Sequence, residues 1–373
     1  MNISKIHKDF RLNGRSFASE KELLIYAKTV SGGIHSFLSV WFDPDTFIKV
    51  KTSGSTGIPK MIALKKEYMI NSARATGNFF GLQAGTSALL CLSTDYIAGK
   101  MMLVRALTLG WHLDLGAPVS NPLAGRDKTY DFCAMVPMQV SHSLNEIHKV
   151  RVLIVGGGAV SVDLLERIQQ VPTVVFATYG MTETITHIAL QRLSQGSGNH
   201  AKSGQFRAAA LGLPTDGNYH TLQGIKVSKD GRGCLVIKAP NVTDEIVITN
   251  DLVELISETE FKWRGRYDHV INSGGIKLFP EQIEQKLTAL IKDRYFVAGI
   301  PDAQLGEKLV LLIEREVTSI AEEQAVILNE VKNLKILTKY EIPKAIYFVP
   351  KFIETETKKI QRKKTLDLIN RFL

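Results

Sequence analysis

The run Lys51-Thr52-Ser53-Gly54-Ser55-Thr56-Gly57-Ile58-Pro59-Lys60 gathers hydroxyls, glycines and a lysine into one short stretch. Those groups suit an anion. The hydroxyls of Thr52, Ser53, Ser55 and Thr56 can donate, Gly54 and Gly57 let backbone N–H groups come close, and Lys60 adds charge. The spacing is not that of a P-loop, because Ile58 and Pro59 separate the second glycine from Lys60. A polar surface loop fits the same composition. Downstream, "YGMTET" closes an apolar run with an aromatic ring (Tyr179), a hydroxyl (Thr182) and a carboxylate (Glu183). These offer a stacking face, a donor and a ligand for a hard cation such as Mg2+. A strand that ends in a polar turn would read the same way.

Such groups need a frame to hold them. "VRVLIV" is a β-branched run of buried-strand type, "GGGAV" (156–160) turns the chain, and Ser161 is placed to cap a helix over "SVDLLERIQQV". "TVVFATYG" reads as the next strand. Strand, helix and strand at this spacing predict a parallel pair in an α/β layered domain. Past Arg266, "HVINSGGIKLFPEQIEQKL" reads as a strand, a glycine turn and a helix entered at Pro280. "YFVAGI", "KLVLLIE" and "AIYFVP" read as strands, with a helix over 319–335. The fold class expected is α/β, with a large N-terminal domain (1–265) and a small α+β C-terminal domain (266–373).

Taken in order, these stretches resemble the signatures of the adenylate-forming superfamily, which comprises acyl- and aryl-CoA synthetases, nonribosomal adenylation domains and luciferases. The resemblance implies that Thr52, Ser53, Gly54, Ser55, Thr56, Gly57 and Lys60 hold the β- and γ-phosphates of ATP. It places Gly157, Gly158, Tyr179 and Gly180 at the adenine, Thr182 at the α-phosphate and Glu183 at Mg2+. "TNDLVEL" (249–255) stands where the family has Thr-Gly-Asp, so Asp251 would accept from the ribose hydroxyls. Asn250 replaces the glycine, and since Asn tolerates positive φ, the turn is expected to survive. "GRYDHVINSGGIKLFPEQIE" (265–284) is similar to the signature that opens the family's mobile C-terminal domain. It implies Arg266 at the ribose, Lys277 at the nucleotide, Asp268 as hinge, and Gly274 and Gly275 beside a tunnel for CoA. In "TKKIQR" (357–362), Lys359 falls on the catalytic lysine and Lys358 stands in place of a glycine. Read without the resemblance, Asp251 is a turn residue, Arg266 and Asp268 are a surface ion pair, and the lysines of 358–364 are a solvated basic cluster.

The formal charge of +9 favours anionic partners without selecting one. "GGGAV" lacks the last glycine of a dinucleotide fingerprint, which argues against a nicotinamide cofactor. Cys91, Cys133 and Cys234 are odd in number and lack metal spacing, and no histidine cluster shows ligand spacing, so no protein-built metal site is expected beyond Glu183. No apolar run reaches membrane length and the start lacks a signal-peptide core, so a cytoplasmic protein without nucleic-acid or membrane partners is expected. With its first signature already at residue 52, the chain looks most like the short o-succinylbenzoate–CoA ligases of menaquinone biosynthesis, on the strength of "LSTDYIAGKMMLVRAL" and "YGMTETITHIAL". That likeness implies an AMP-forming acid–CoA ligase using ATP, Mg2+ and CoA. The acid would lie near Tyr96, Thr186 and a cation, Lys100 or Arg105. Another aryl- or acyl-CoA ligase, an adenylation enzyme loading a carrier protein and a non-catalytic nucleotide-binding regulator remain open readings. A homodimer is compatible with any of them.

Overall fold

The structure, a computed structural model, describes residues 5–51, 61–194, 196, 212–317, 319–355 and 359–369. The first strands are β1 (Arg11–Leu12), β2 (Phe47–Lys51), β3 (Met61–Lys65), β4 (Ser87–Leu90), β5 (His112–Leu115), β6 (Tyr130–Met135) and β7 (Val150–Val155). Next come β8 (Val174–Gly180), β9 (His187–Arg192), β10 (Tyr219–Thr221), β11 (Lys226–Lys229), β12 (Cys234–Lys238), β13 (Val247–Ser257) and β14 (Glu260–Arg266). The last are β15 (Ile271–Ser273), β16 (Ile276–Leu278), β17 (Tyr295–Asp302), β18 (Gly306–Glu314) and β19 (Ala345–Val349). Helices α1 (Glu20–Val30), α2 (Gly32–Phe42), α3 (Lys66–Phe80), α4 (Ile97–Leu109), α5 (Pro137–His142) and α6 (Val162–Ile168) belong to the first part of the chain. Helices α7 (Pro280–Leu287), α8 (Ile320–Lys332) and α9 (Arg362–Ile369) belong to the last.

A 12-stranded sheet runs β1-β5-β4-β6-β7-β8-β9-β10-β14-β13-β12-β11. Its β4, β6, β7 and β8 pair in parallel, and from β9 onward the pairing is antiparallel. Both faces of the parallel part are covered. In β7, Val152 and Ile154 join the core containing Trp41, Phe80, Trp111 and Phe176, while Leu153 and Val155 join the core containing Cys133, Met135 and Leu164. Burial on two faces is why "VRVLIV" shows no polar alternation. A second, 5-stranded sheet of β15–β19 has its own two cores, whose buried members all lie between Ile271 and Ile369. β2 and β3 form a separate antiparallel pair.

The strand–helix–strand reading of 151–178 matches the structure: β7 and β8 are parallel, and the Ser161 hydroxyl accepts from the Leu164 N–H at 3.3 Å to cap α6. Pro280 opens α7. Two expectations need correction. "GGIKLF" is not a simple turn into a helix, since β16 pairs back on β15 before α7 begins. Asn250 and Asp251 do not sit in a turn. Both lie inside β13, and among the described residues only Asn13 and Ile185 are non-glycine residues with positive φ.

α4 is buried on almost every side, from Gly99 through Leu107. At Gly99 a β-carbon would lie 2.2 Å from the Ser93 carbonyl oxygen. Gly99→Ala is therefore expected to cost about 1–3 kcal/mol through a forced backbone shift. A denaturant midpoint unchanged from the parent would contradict this packing.

Candidate functional site

In an α/β sheet the crevice beyond the strand C-termini is the natural ligand position. Here β8 delivers Tyr179 and Gly180 to that edge, and the antiparallel strands β13 and β14 bring Asp251 and Arg266 beside them as register partners. Asp251 is buried and its carboxylate is ringed by donors. The Tyr179 hydroxyl donates to Oδ2 at 2.7 Å, Trp263 Nε1 donates to Oδ1 at 3.2 Å, and Arg266 Nη1 lies 3.5 Å from Oδ1. Carboxylate oxygens keep further lone pairs, so this group can still accept from a ligand. Tyr179 packs edge-on against Phe261 (5.1 Å between centroids) and Tyr219 (5.7 Å), which stack on each other at 5.5 Å. Burial, and then the Asp251 charge, push the Tyr179 hydroxyl well above its ordinary pKa, and the same causes push Tyr219 up to about 12. The Tyr179 phenol thus stays a donor. Arg266 also grips Asp268 through two bonds, 3.0 and 3.2 Å long. Burial opposes the guanidinium charge, but Asp268 and Asp251 outweigh it and raise the Arg266 pKa.

Beyond Gly180 the chain makes a single 3₁₀ turn, Thr182–Thr184, then a tight reversal in which the Thr186 N–H donates to the Thr184 carbonyl at 2.8 Å. Ile185 at its centre has φ +67° and ψ −63°, a costly conformation for a β-branched side chain, of order 1–3 kcal/mol. Strain of this kind persists where the surroundings over-determine it. Here Gly180 permits the reversal: a β-carbon there would sit 2.2 Å from the Thr186 carbonyl oxygen. Glu183 is exposed on this turn and makes no hydrogen bond or ion pair with the described residues, a free carboxylate of the sort that suits Mg2+. On the neighbouring loop Gly157 has φ +81°, and Gly156 lies so close to Thr178 that a β-carbon would reach its hydroxyl at 2.4 Å. Gly158 follows in the same loop, against Pro137.

Lys359 lies near the far end of the chain, just before α9. Glu354 and Ile360 bridge, the Thr355 N–H donates to the Lys359 carbonyl at 2.8 Å, and the Lys359 N–H donates to the Thr355 hydroxyl at 3.1 Å. Arg362 anchors the start of α9 by donating to Glu284 at 2.7 Å and to the Val297 carbonyl at 3.2 Å. The Lys359 ammonium is pushed below its ordinary pKa, first by burial and then by the Arg266 charge.

The acid-side candidates separate clearly. Tyr96 is half-exposed at the start of α4. Lys100 turns back on the loop, donating to the Thr94 carbonyl and to the Asp95 carbonyl at 2.9 Å, and burial lowers its pKa. Arg105 is 2 % exposed and has no carboxylate partner among the described residues. It contacts the Thr76 hydroxyl (3.3 Å), His187 Nδ1 (3.5 Å) and the Met102 sulfur (3.7 Å), and burial lowers its pKa to about 10. His187 is held neutral by burial and by the Arg105 charge, so it accepts from Arg105 at Nδ1 and donates to Thr76 at Nε2, 3.4 Å away. Thr186 directly precedes it, half-buried.

Thr52, Ser53, Gly54, Ser55, Thr56, Gly57 and Lys60 lie outside the described residues, although β2 and β3 hold Lys51 opposite Met61 on either side of them. Gly274 (φ +57°) and Gly275 (φ +80°) form the two-residue tip of the β15–β16 hairpin, and Lys277 is exposed on β16 opposite Asn272. Trp263, His187 and Thr76 join the site without any motif to announce them. Contrary to the sequence reading, a His–carboxylate group does assemble: ligand atoms of Asp216, His220 and Glu260 lie within 4.8 Å of one another. Asn218 ties the two carboxylates together through its amide, at 3.1 and 2.8 Å. Cys91 and Cys133, distant in sequence, have thiols 3.7 Å apart in the core and are free, as is Cys234. Among the described residues no helix is long and apolar enough to cross a membrane.

Residues 37–246 match the family described as AMP-binding enzyme. The chain is 26% identical over 345 residues to a 2-succinylbenzoate–CoA ligase of Enterococcus faecalis, covering 83% of this chain and 67% of that protein. Among solved structures, an acyl-CoA synthetase (AMP-forming)/AMP-acid ligase II-like protein from Dyadobacter fermentans is 36% identical. That match covers 91% of this chain and 95% of the other, with a TM-score of 0.56. The o-succinylbenzoate CoA synthetase of Bacillus subtilis, solved with the acyl-adenylate OSB-AMP, shares the fold at 22% identity and a TM-score of 0.63, covering 85% of this chain and 68% of that one.

The crowding at Gly180 yields a direct test. Gly180→Ala should displace the Thr182–Thr186 reversal and weaken AMP binding by about tenfold or more, at a stability cost of about 1–3 kcal/mol. Calorimetric titration with AMP checks it, and wild-type affinity in the variant would contradict it.

Proposed function

The chain belongs to the AMP-binding enzyme family, and on that premise we propose that it is an ATP-dependent, AMP-forming acid–CoA ligase that makes o-succinylbenzoyl-CoA. The observation that supports this most is the ring of Tyr179, Trp263 and Arg266 around the Asp251 carboxylate, with the Arg266 charge also lowering the pKa of Lys359. In this reading Asp251 accepts from the ribose hydroxyls, Arg266 steadies the same sugar, and Tyr179 offers the adenine its ring. Thr182 donates to the α-phosphate. Glu183 would hold Mg2+, which supplies charge neutralisation to the polyphosphate when bound.

The first half-reaction joins a carboxylate oxygen of the acid to the α-phosphorus while the bond to pyrophosphate breaks. Lys359 neutralises the charge that accumulates between the two anions. The ammonium is the useful form. Because burial and Arg266 lower its pKa, that form is lost at a lower pH than for an ordinary lysine. The second half-reaction joins the CoA sulfur to the acyl carbon, breaks the acyl–oxygen bond to AMP and gives up the thiol proton. For this the unit beyond Asp268 turns, withdrawing Lys359 and presenting the Gly274–Gly275 tip.

The choice of acid rests on Arg105. A buried guanidinium without a carboxylate partner among the described residues would gain most from a substrate's second carboxylate. Lys100, already bound to two carbonyls, is less suited to that task. The relatives named as 2-succinylbenzoate–CoA ligases point the same way.

Pyrophosphate release across a panel of acids tests the reading. Release is expected with o-succinylbenzoate and not with benzoate. Arg105→Lys, which keeps the charge but loses the fork, should raise the KM for that diacid about tenfold while leaving the KM for ATP unchanged. Equal rates with mono- and dicarboxylates would overturn the substrate assignment, and ATP binding without acid-dependent release would favour a regulator.

A further inference from the structure

Asn250 stands where the related signature has glycine, and the structure shows what that side chain touches. Arg232, at the tip of the β11–β12 hairpin, donates from Nη1 to the Asn250 Oδ1 at 2.9 Å and from Nη2 to the Thr249 carbonyl at 3.0 Å. Its Nε donates to Asp230 at 2.8 Å, and the guanidinium lies 5.2 Å from the ring centroid of Tyr267. Asp230 in turn fixes the hairpin tip, accepting from the backbone N–H groups of Arg232 and Cys234, both at 2.9 Å. One side chain thus binds the two residues that precede Asp251 and stacks on the residue that follows Arg266. Asp251 and Arg266 are register partners, so Arg232 clamps both strands beside the ribose pair. Every group it touches lies before Asp268, on the stationary side of the proposed rotation.

We propose that Arg232 is a positioning residue: together with Asn250 and Tyr267 it sets the spacing of Asp251 and Arg266, so that the two meet the ribose hydroxyls of an adenine nucleotide. Arg232 touches no nucleotide itself in this scheme. The planar fork matters because two acceptors on one strand and a ring on the next must be met at once, which an ammonium does not do. Glycine at position 250 would leave Nη1 without that acceptor. The inference rests on the nucleotide-binding reading above.

The test uses the full chain and two probes, AMP and 2′,3′-dideoxy-AMP, titrated calorimetrically into the parent and into Arg232→Ala, Arg232→Lys, Asn250→Gly and Tyr267→Leu, with the thermal midpoint of each recorded. The parent should prefer AMP. Arg232→Ala should lose about tenfold in AMP affinity with its dideoxy-AMP affinity unchanged, Arg232→Lys should recover little, and Asn250→Gly should lose about threefold. A purely structural role would weaken both probes alike or lower only the midpoint, and that result overturns the proposal. Parent-like discrimination in Arg232→Ala also overturns it while leaving nucleotide binding intact. Should Arg232→Ala fail to fold, Arg232→Lys and Asn250→Gly decide by the same comparison. A parent that binds neither probe overturns the functional reading itself.

Discussion

A carboxylate taken out of water must be met by donors, and in this protein the buried carboxylate of Asp251 organises everything near it. Its three protein partners come from two strands: Tyr179 from β8, Trp263 and Arg266 from β14. Satisfying that charge forces the end of the parallel half of the sheet to register with the antiparallel half. The aromatic group of Tyr179, Tyr219 and Phe261 seals the junction and keeps the local dielectric low. The geometry that the buried charge needs is also the geometry a ribose would meet. Stability and ligand recognition are therefore joined at one residue.

The same pair stands where the chain leaves the first sheet. Arg266 faces Asp251 on one side and Asp268 on the other, and its positive charge is felt by Lys359. Across the junction, the Gln282 amide donates to the Arg264 carbonyl at 3.0 Å. The apolar cores on either side are separate, a pattern suited to a unit that changes orientation.

What the sequence disclosed follows from the range of the forces involved. The strand of Val150–Val155, the cap at Ser161 and the helix start at Pro280 are set by near neighbours, and all three were legible. β16 was missed because its three residues, squeezed between a glycine pair and Phe279, are too few to show alternation. Asn250 is expected in a positive-φ turn, but it lies inside β13, and its partner Arg232 comes from the distant β11–β12 hairpin. By sequence alone Arg105 and Lys100 are equivalent cations on one helix. Burial distinguishes them, since one guanidinium is sealed beside a neutral histidine while the other cation is capped by carbonyls. Trp263 reaches Asp251 across a bulged antiparallel pair, a contact no linear motif encodes.

The account stands or falls on Lys359 serving one half-reaction and not the other. Lys359→Ala should cut acyl-adenylate formation by about a hundredfold or more, as loss of a preorganised charge does, while thioester formation from supplied acyl-adenylate and CoA stays within a few-fold of the parent. Equal loss of both steps, or no loss of the first, would contradict it.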